Sequence, residues 1–80
     1  MKITIESTSK IVSLKLNNSA NEIPARIWEG TTESGIKVHC YVTRIAIDKD
    51  EPNAQQFEKE LIEQKVPSVE IEALPGRLIL

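Results

Sequence analysis

His39 and Cys40 are the only histidine and the only cysteine in the chain, and they are adjacent in the sequence. A thiol beside a base can act as a nucleophile when the two side chains meet. Apolar and polar residues alternate from Ile36 to Val42, however, and a spacing of two is typical of a β-strand. Neighbouring side chains of a strand point to opposite faces. We therefore predict no catalytic dyad, with Cys40 as a small buried apolar residue and His39 facing solvent.

No other set of residues predicts a catalytic, metal or cofactor site. A metal ion needs three or four converging ligands, and the carboxylates of this chain show no diagnostic spacing. Glu70 and Glu72 would lie about 6.5 Å apart on one strand face, as in some carboxylate pairs, but a solvated face explains them more simply. Gly30 and Gly35 fit no phosphate-binding motif. We expect no enzyme activity and no cofactor.

Arg26, Trp28, His39 and Tyr41 are the candidate binding residues. Arg26 and Trp28 share one face of a predicted strand over residues 23–28. An antiparallel neighbour could bring His39 or Tyr41 beside them, and Trp, Tyr and Arg are enriched at the energetic centres of interfaces. The simpler alternative is that Trp28 packs beneath a helix as part of the core.

The N-terminal part of the chain has the spacing of strands. Residues 2–6 and 11–16 alternate apolar and polar side chains, and each predicts a short strand. The polar residues 7–10 between them form either a turn or a kink in one longer ribbon. Residues 17–21 contain asparagines and a serine, which favour turns, and predict a loop.

A hairpin is predicted in the middle of the chain. The strand over residues 23–28 is followed by a polar stretch bounded by glycines, residues 30–35, and then by a second strand from Ile36. The apolar alternation of this second strand changes phase near Thr43 and Arg44. We expect a β-bulge there, with the alternative that the strand becomes covered on both faces.

A helix is predicted over about residues 51–65. Its apolar stripe consists of Ala54, Phe57, Leu61 and Ile62. Asn53 is a candidate N-cap with a glutamine three residues later, with the alternative that Asp50 is the cap and Pro52 lies in the first turn. Pro67 prevents the helix from continuing. Residues 69–73 then alternate as in a strand, and residues 77–80 predict a C-terminal strand tied into the sheet.

Length and composition place these elements in one domain, residues 1–80. They predict an α+β fold with a small antiparallel or mixed sheet of about four to five strands and one helix packed on it, in the order β-β-β-β-α-β. With 40% hydrophobic and 28% charged residues, the composition is ordinary for a water-soluble protein. A lone cysteine and the lack of any long apolar run predict a cytoplasmic protein that does not cross a membrane.

The stretch EIPARIWEGTTESGIKVHCYVTRIAI, residues 22–47, and the closing PGRLIL, residues 75–80, carry a resemblance. In these two segments the chain resembles small proteins encoded in bacteriophages and prophages. The resemblance covers about half the chain and implies a bacterial or phage setting. It implies no catalytic residue and no cofactor.

The leading hypothesis is a small accessory protein that binds another protein, or itself, through a face or edge of its sheet. The alternative is a nucleic-acid-binding regulator that uses a local basic surface, with Trp28 or Tyr41 stacking on bases. The basic residues of that surface would be Arg26, Lys37, Arg44 and Arg77. A net charge of -2 without any basic run disfavours nucleic acid as the partner.

Overall fold

The structure is a computed structural model of the chain, and it describes residues 1–17 and 20–79. Within these residues the elements are β1 (Ile3–Lys15), β2 (Glu22–Thr32), β3 (Lys37–Val42), α1 (Ala54–Leu61), α2 (Val69–Glu72) and β4 (Arg77–Ile79). The four strands form one mixed sheet in the order β3-β2-β1-β4, in which β4 is parallel to β1 and the other neighbours are antiparallel. The α+β class and the small mixed sheet are confirmed, but three strands rather than four precede the first helix.

β1 is one long strand with a polar irregularity in its middle, so the kinked ribbon is the correct alternative. Its pairing with β2 shifts between Ser7 and Ile11. Thr8 is fully buried at this point, and its hydroxyl donates to the Ile27 carbonyl oxygen at 2.6 Å. The Lys10 N–H donates to Thr8 Oγ1 at 3.2 Å. The polar residues that interrupt the alternation therefore supply hydrogen bonds that hold the irregular backbone.

The predicted hairpin joins β2 to β3, with a shorter loop than expected. The Thr32 N–H donates to the Ile36 carbonyl at 2.9 Å, and the Gly35 N–H donates to the Thr32 carbonyl at 3.0 Å. Gly35 has a φ of 86°, in the left-handed region that the last residue of a three-residue hairpin loop adopts. This turn sets the register of the hairpin, in which Trp28 lies opposite Cys40.

The predicted β-bulge at residues 43–44 is wrong, because β3 ends at Val42. The last pair of its ladder joins Val42 to Arg26, and two residues earlier on β2 Pro24 has no amide proton to offer a longer ladder. Residues 43–48 have no regular secondary structure. The change of apolar phase in the sequence therefore marks the end of a strand.

α1 is shorter than the helix predicted over residues 51–65, and none of its side chains is buried. Asn53 holds the N-cap position without a side-chain capping bond, and its N–H donates to Glu51 Oε1 at 3.1 Å. Past the helix the chain pairs with β1, where the Lys65 N–H donates to the Ser7 carbonyl at 3.0 Å. This pairing requires an extended backbone at Lys65, where the sequence predicts helix.

The strand predicted over residues 69–73 is wrong, because this segment contains α2. Ser68 precedes the helix as its N-cap, and Ser68 Oγ accepts a hydrogen bond from the Ile71 N–H at 3.4 Å. Glu70 and Glu72 lie in the first turn, where negative charge is favourable. Five alternating residues fit one helical turn as well as a strand, so Glu70 and Glu72 do not share a strand face.

The core lies between the sheet and α2. It consists of Val12, Leu14, Ala25, Ile27 and Ile71, with Tyr41, Leu74 and Leu78 packed against it. We call this side of the sheet the covered face. The helix that contributes a buried side chain to the core is α2, whereas the helix predicted to pack on the sheet corresponds to α1.

β4 confirms the predicted C-terminal strand and pairs with residues 13–15 of β1. Two predicted features extend beyond the described residues. The loop predicted over residues 17–21 includes residues 18 and 19, and the C-terminal strand includes residue 80. Within the described part of the chain, neither helix has the length and apolar character needed to cross a membrane.

The chain is more open than a compact protein of its size. Its accessible surface is 6316 Å², against about 4,900 Å² for a compact monomer of 9.0 kDa. Its radius of gyration is 14.3 Å, against about 12 Å for a compact domain of this length. Large apolar side chains also remain exposed on both sides of the hairpin and along the segment after β3. The fold by itself therefore leaves apolar surface uncovered.

Candidate binding groove

Arg26 and Trp28 lie on the side of the sheet opposite the core, which we call the open face. The strand register places Ile11, Arg26 and Val42 in one cross-strand row and Ser7, Trp28 and Cys40 in the next. These residues alternate with those of the covered face, because successive side chains of a strand point to opposite sides. The predicted common face of Arg26 and Trp28 is confirmed.

The open face forms the floor of a groove with a volume of about 430 Å³. Its wall comes from the segment that follows β3 and from the end of α1. The wall residues are Thr43, Arg44, Ile45, Leu61, Ile62 and Gln64. Trp28 is half-buried, lies outside the core and lines this groove beside the end of α1.

Exposed aliphatic side chains give the groove its apolar character. Ile11 on the floor is 54% exposed, and on the wall Leu61 is 44% and Ile62 is 77% exposed. Contiguous apolar surface of this kind is typical of an interaction site. The indole of Trp28 adds a large flat surface that can contact an apolar side chain.

The charges at the groove are those of two arginines. Arg26 Nη1 donates to the Thr8 carbonyl at 2.9 Å, and this bond links the guanidinium to the irregular part of β1. Arg44 is exposed in the segment after β3. Among the described residues that line the groove, none is an aspartate or a glutamate. The groove is therefore locally cationic although the chain has a net charge of -2.

His39 and Tyr41 lie on the covered face, away from Arg26 and Trp28. In the hairpin register His39 is opposite Glu29, and Tyr41 is opposite Ile27. The side chains of His39 and Tyr41 therefore point to the same face, and that of Cys40 points to the other. His39 Nε2 lies 3.0 Å from the Tyr41 hydroxyl, and their rings meet edge to face at 5.3 Å. The predicted cluster of four residues is thus two separate pairs, because a one-residue difference in register exchanges the two faces.

A second concave region of about 360 Å³ lies at the covered face, between the hairpin and α2. Glu29 is its centre: Lys65 Nζ lies 2.8 Å from Glu29 Oε1, and the Ser68 N–H donates to Glu29 Oε2 at 3.2 Å. Lys37, His39 and Glu70 also line this region. Acidic and basic side chains of this region thus lie close to one another, as in the Glu29–Lys65 pair. Glu29 connects β2 to the segment that leads into α2.

Three groups in this region have pKa values shifted from their ordinary values: Glu29, Lys65 and Glu70. The hydrogen bond from Lys65 lowers the pKa of the Glu29 carboxyl, while partial burial opposes the shift and the Ser68 N–H adds to it. The same hydrogen bond raises the pKa of Lys65. The Glu70 backbone N–H lowers the pKa of the Glu70 carboxyl, and the Ser68 hydroxyl and Lys37 contribute further. In each case the charged form is favoured, as expected for groups that stabilise the fold.

His39 and Cys40 point to opposite faces of β3, as the sequence predicts. Cys40 is half-buried on the open face rather than fully buried, and His39 is exposed. Across residues 1–17 and 20–79, no group of three or more His, Cys, Asp or Glu side chains could hold a metal ion. What the groove offers chemically is apolar contact and two guanidinium groups.

Most residues of the groove were not identified from the sequence. Val42 could be found by counting along the hairpin once the register that pairs Trp28 with Cys40 is known, whereas Ile11 pairs with Arg26 only beyond the register shift in β1. Ile45, Leu61 and Ile62 reach the groove because the chain returns over the open face, and no local sequence signal indicates that return. Comparison with protein-family models, with curated proteins and with solved structures found no significant match for the chain.

Proposed function

We propose that the protein is a small phage-type accessory protein that binds another protein through the groove of its open face and performs no catalysis. The groove is the observation that carries the proposal, because it combines exposed aliphatic side chains, a tryptophan and arginines. Trp and Arg are enriched where interfaces gain most of their binding energy. The phage or bacterial setting is supported by the resemblance of residues 22–47 and 75–80.

The excess surface also supports a binding role. A protein chain that exposes more surface than a compact monomer gains stability when a partner covers its apolar part. The excess over a compact chain is about 1,400 Å², which is larger than the roughly 800 Å² that one partner contributes to an interface of standard size. One protein docked on the open face through an interface of standard size would therefore cover roughly half of this excess.

The nucleic-acid alternative has less support, because the structure disperses its basic residues. Arg26 and Arg44 line the groove, Lys37 lines the region at the covered face, and Arg77 forms an ion pair with Glu22. A phosphate backbone requires a continuous track of cations. Two arginines beside aliphatic walls provide a shorter and less polar surface.

Two matched substitutions test the proposed function. Ile62 lines the groove and Val66, four residues later, does not, yet both side chains are largely exposed at 77% and 86%. Ile62→Glu and Val66→Glu should therefore both fold. In affinity capture from a bacterial host lysate, we expect the wild type and Val66→Glu to retain the same specific protein and Ile62→Glu to lose it. Equal capture by all three proteins, or no specific capture, would contradict the proposal.

A further inference from the structure

We infer that the groove takes an amphipathic segment of another protein in which apolar side chains are flanked by carboxylates. This inference rests on the proposed function and specifies the chemistry of the partner. It follows from how charge and apolar surface are distributed around Trp28, Arg26 and Arg44.

The charge distribution selects carboxylates. Acidic residues outnumber basic residues in the chain by 12 to 10, so a cationic patch without a carboxylate is unusual for its surface. Arg26 donates one guanidinium N–H to the Thr8 carbonyl, and its other N–H groups remain able to donate to a ligand. Arg44 forms no ion pair among the described residues. Planar guanidinium groups bind carboxylates through paired hydrogen bonds, and both are placed to do so.

The apolar walls select apolar anchors. Ile11, Trp28 and Ile62 present aliphatic and aromatic surface. Removing this surface from water is favourable, so an apolar side chain of the partner would stabilise the complex. A volume of about 430 Å³ is in the range of protein ligand sites, so it holds a few side chains and not a folded domain. A single segment with apolar residues on one side satisfies both conditions. A phosphate backbone would satisfy the arginines and leave the aliphatic surface in water.

Three synthetic peptides of roughly 15 residues, about four helical turns, test the inference. They share Leu and Phe on one face and carry Glu, Gln or Lys at the flanking positions. Trp28 is the only tryptophan of the chain, so its fluorescence reports on the groove when the peptides contain none. We expect the Glu peptide to bind about fivefold more tightly than the Gln peptide, which corresponds to the upper end of the range for one exposed ion pair. The Lys peptide should bind most weakly.

A charge-removing variant tests whether Arg44 provides the preference for carboxylates. Arg44→Gln should reduce the preference for Glu over Gln to less than about twofold, as expected when an exposed ion pair is lost. Lys49→Gln, which removes a charge from an exposed residue outside the groove, should leave the preference unchanged. Raising the salt concentration should weaken the Glu peptide more than the Gln peptide. Far-UV circular dichroism checks that each variant keeps its fold.

The other outcomes separate this inference from the proposed function. Equal affinity for the Glu and Gln peptides would overturn the carboxylate preference and leave protein binding in place. Lack of binding by every peptide, with lysate capture still lost in Ile62→Glu, would overturn the inference alone. Steeply salt-dependent binding of a single-stranded oligonucleotide that displaces the Glu peptide would overturn both. Sedimentation showing a dimer that Ile62→Glu dissociates would identify a second copy as the occupant and overturn the inference.

Discussion

The two faces of this sheet are built by alternate residues of the same strands, yet only one of them is covered. On the covered face Val12, Ala25 and Ile27 are 1%, 2% and 0% exposed. On the open face the neighbouring Ile11 is 54% exposed and Trp28 is half-buried beside a groove. The two-residue alternation of a strand thus assigns residues to the two faces of the sheet, but it does not decide which face becomes part of the core.

The segment that covers the core is held by more polar contacts than the wall of the open face, where the Ser7 hydroxyl donates to the Glu63 carbonyl at 2.7 Å. α2 has four residues, and Glu29 ties its entrance to β2 through Lys65 and the Ser68 N–H. Lys10 Nζ adds a hydrogen bond to the Glu72 carbonyl at 3.0 Å. α1 has eight residues and a clear apolar stripe, but in the described chain no hydrogen bond or ion pair joins it to the sheet. An apolar stripe alone is therefore insufficient to pack a helix tightly against this sheet.

The largest expected difference between the faces concerns stability. Ile27→Ala removes a side chain that is 0% exposed and should lower the free energy of unfolding by about 3–4 kcal/mol, since a cavity remains in the core. Ile11→Ala, on the open face, should cost less than about 1 kcal/mol. Urea denaturation followed by circular dichroism measures both. Similar losses for the two variants would show that the open face is covered in solution.

A second prediction concerns the close approach of β1 and β2. A Cβ on Gly30 would lie 1.8 Å from the Thr4 carbonyl oxygen, so Gly30→Ala must displace backbone and should cost about 2–3 kcal/mol. Gly76→Ala is the matched control, because a Cβ there meets nothing within 4 Å. Unfolding midpoints and amide exchange at Thr4, which pairs with Thr31 next to Gly30, report the effect. Unchanged exchange at Thr4 in Gly30→Ala would contradict the tight pairing.

A third prediction isolates the polar irregularity of β1. Thr8→Val keeps the shape of the side chain but removes the hydroxyl, which donates a buried hydrogen bond to the Ile27 carbonyl and accepts a partly buried one from the Lys10 N–H. The expected loss is about 1–2 kcal/mol. Thr31→Val, at an exposed position of β2, should change stability by less than about 0.5 kcal/mol. A neutral Thr8→Val variant would show that the hydrogen bond at Thr8 does not stabilise the irregularity.

The sequence predicts the parts of the fold that depend on local spacing. The hairpin, the common face of Arg26 and Trp28, and the opposite directions of His39 and Cys40 all follow from period two. The three-residue loop ending at Gly35 is what places Trp28 opposite Cys40, and loop length is not fixed by the glycines alone. The grouping of Arg26 and Trp28 with His39 and Tyr41 fails for this reason.

Long-range contacts explain the remaining differences. The helix pattern over residues 51–65 is real, but backbone pairing of Lys65 with β1 ends it early. The alternation over residues 69–73 is consistent with two structures, and the Ser68 cap together with the burial of Ile71 selects the helix. The groove wall formed by Ile45 and Ile62 depends on the path of the chain between these elements. Such paths are set by tertiary packing, which a local pattern does not encode.

The smallest expected effect is the pH dependence of the contact that holds the covering segment. The pKa of Glu29 is lowered from its ordinary value of 4.5, so its contribution to stability is complete above about pH 4.5 and is lost as the pH falls through the folded-state value. The pKa of Lys65 is raised from 10.5, so its contribution is complete below that pH and is lost as the pH rises through the folded-state value. Glu29→Gln should therefore flatten the stability profile at both ends.

Glu33→Gln provides the control for this pH dependence, because Glu33 lies exposed in the hairpin turn and takes no part in the contact with Lys65. Urea midpoints measured from acid to alkaline pH should show a fall at both extremes for the wild type and Glu33→Gln, and a smaller fall for Glu29→Gln. The amplitude should remain below that of Thr8→Val, since Lys65 is partly exposed and water screens the pair. A profile in Glu29→Gln identical to that of the wild type would mean that α2 stays over the core without its ionic contact, so that burial of Ile71 alone separates the covered face from the open one.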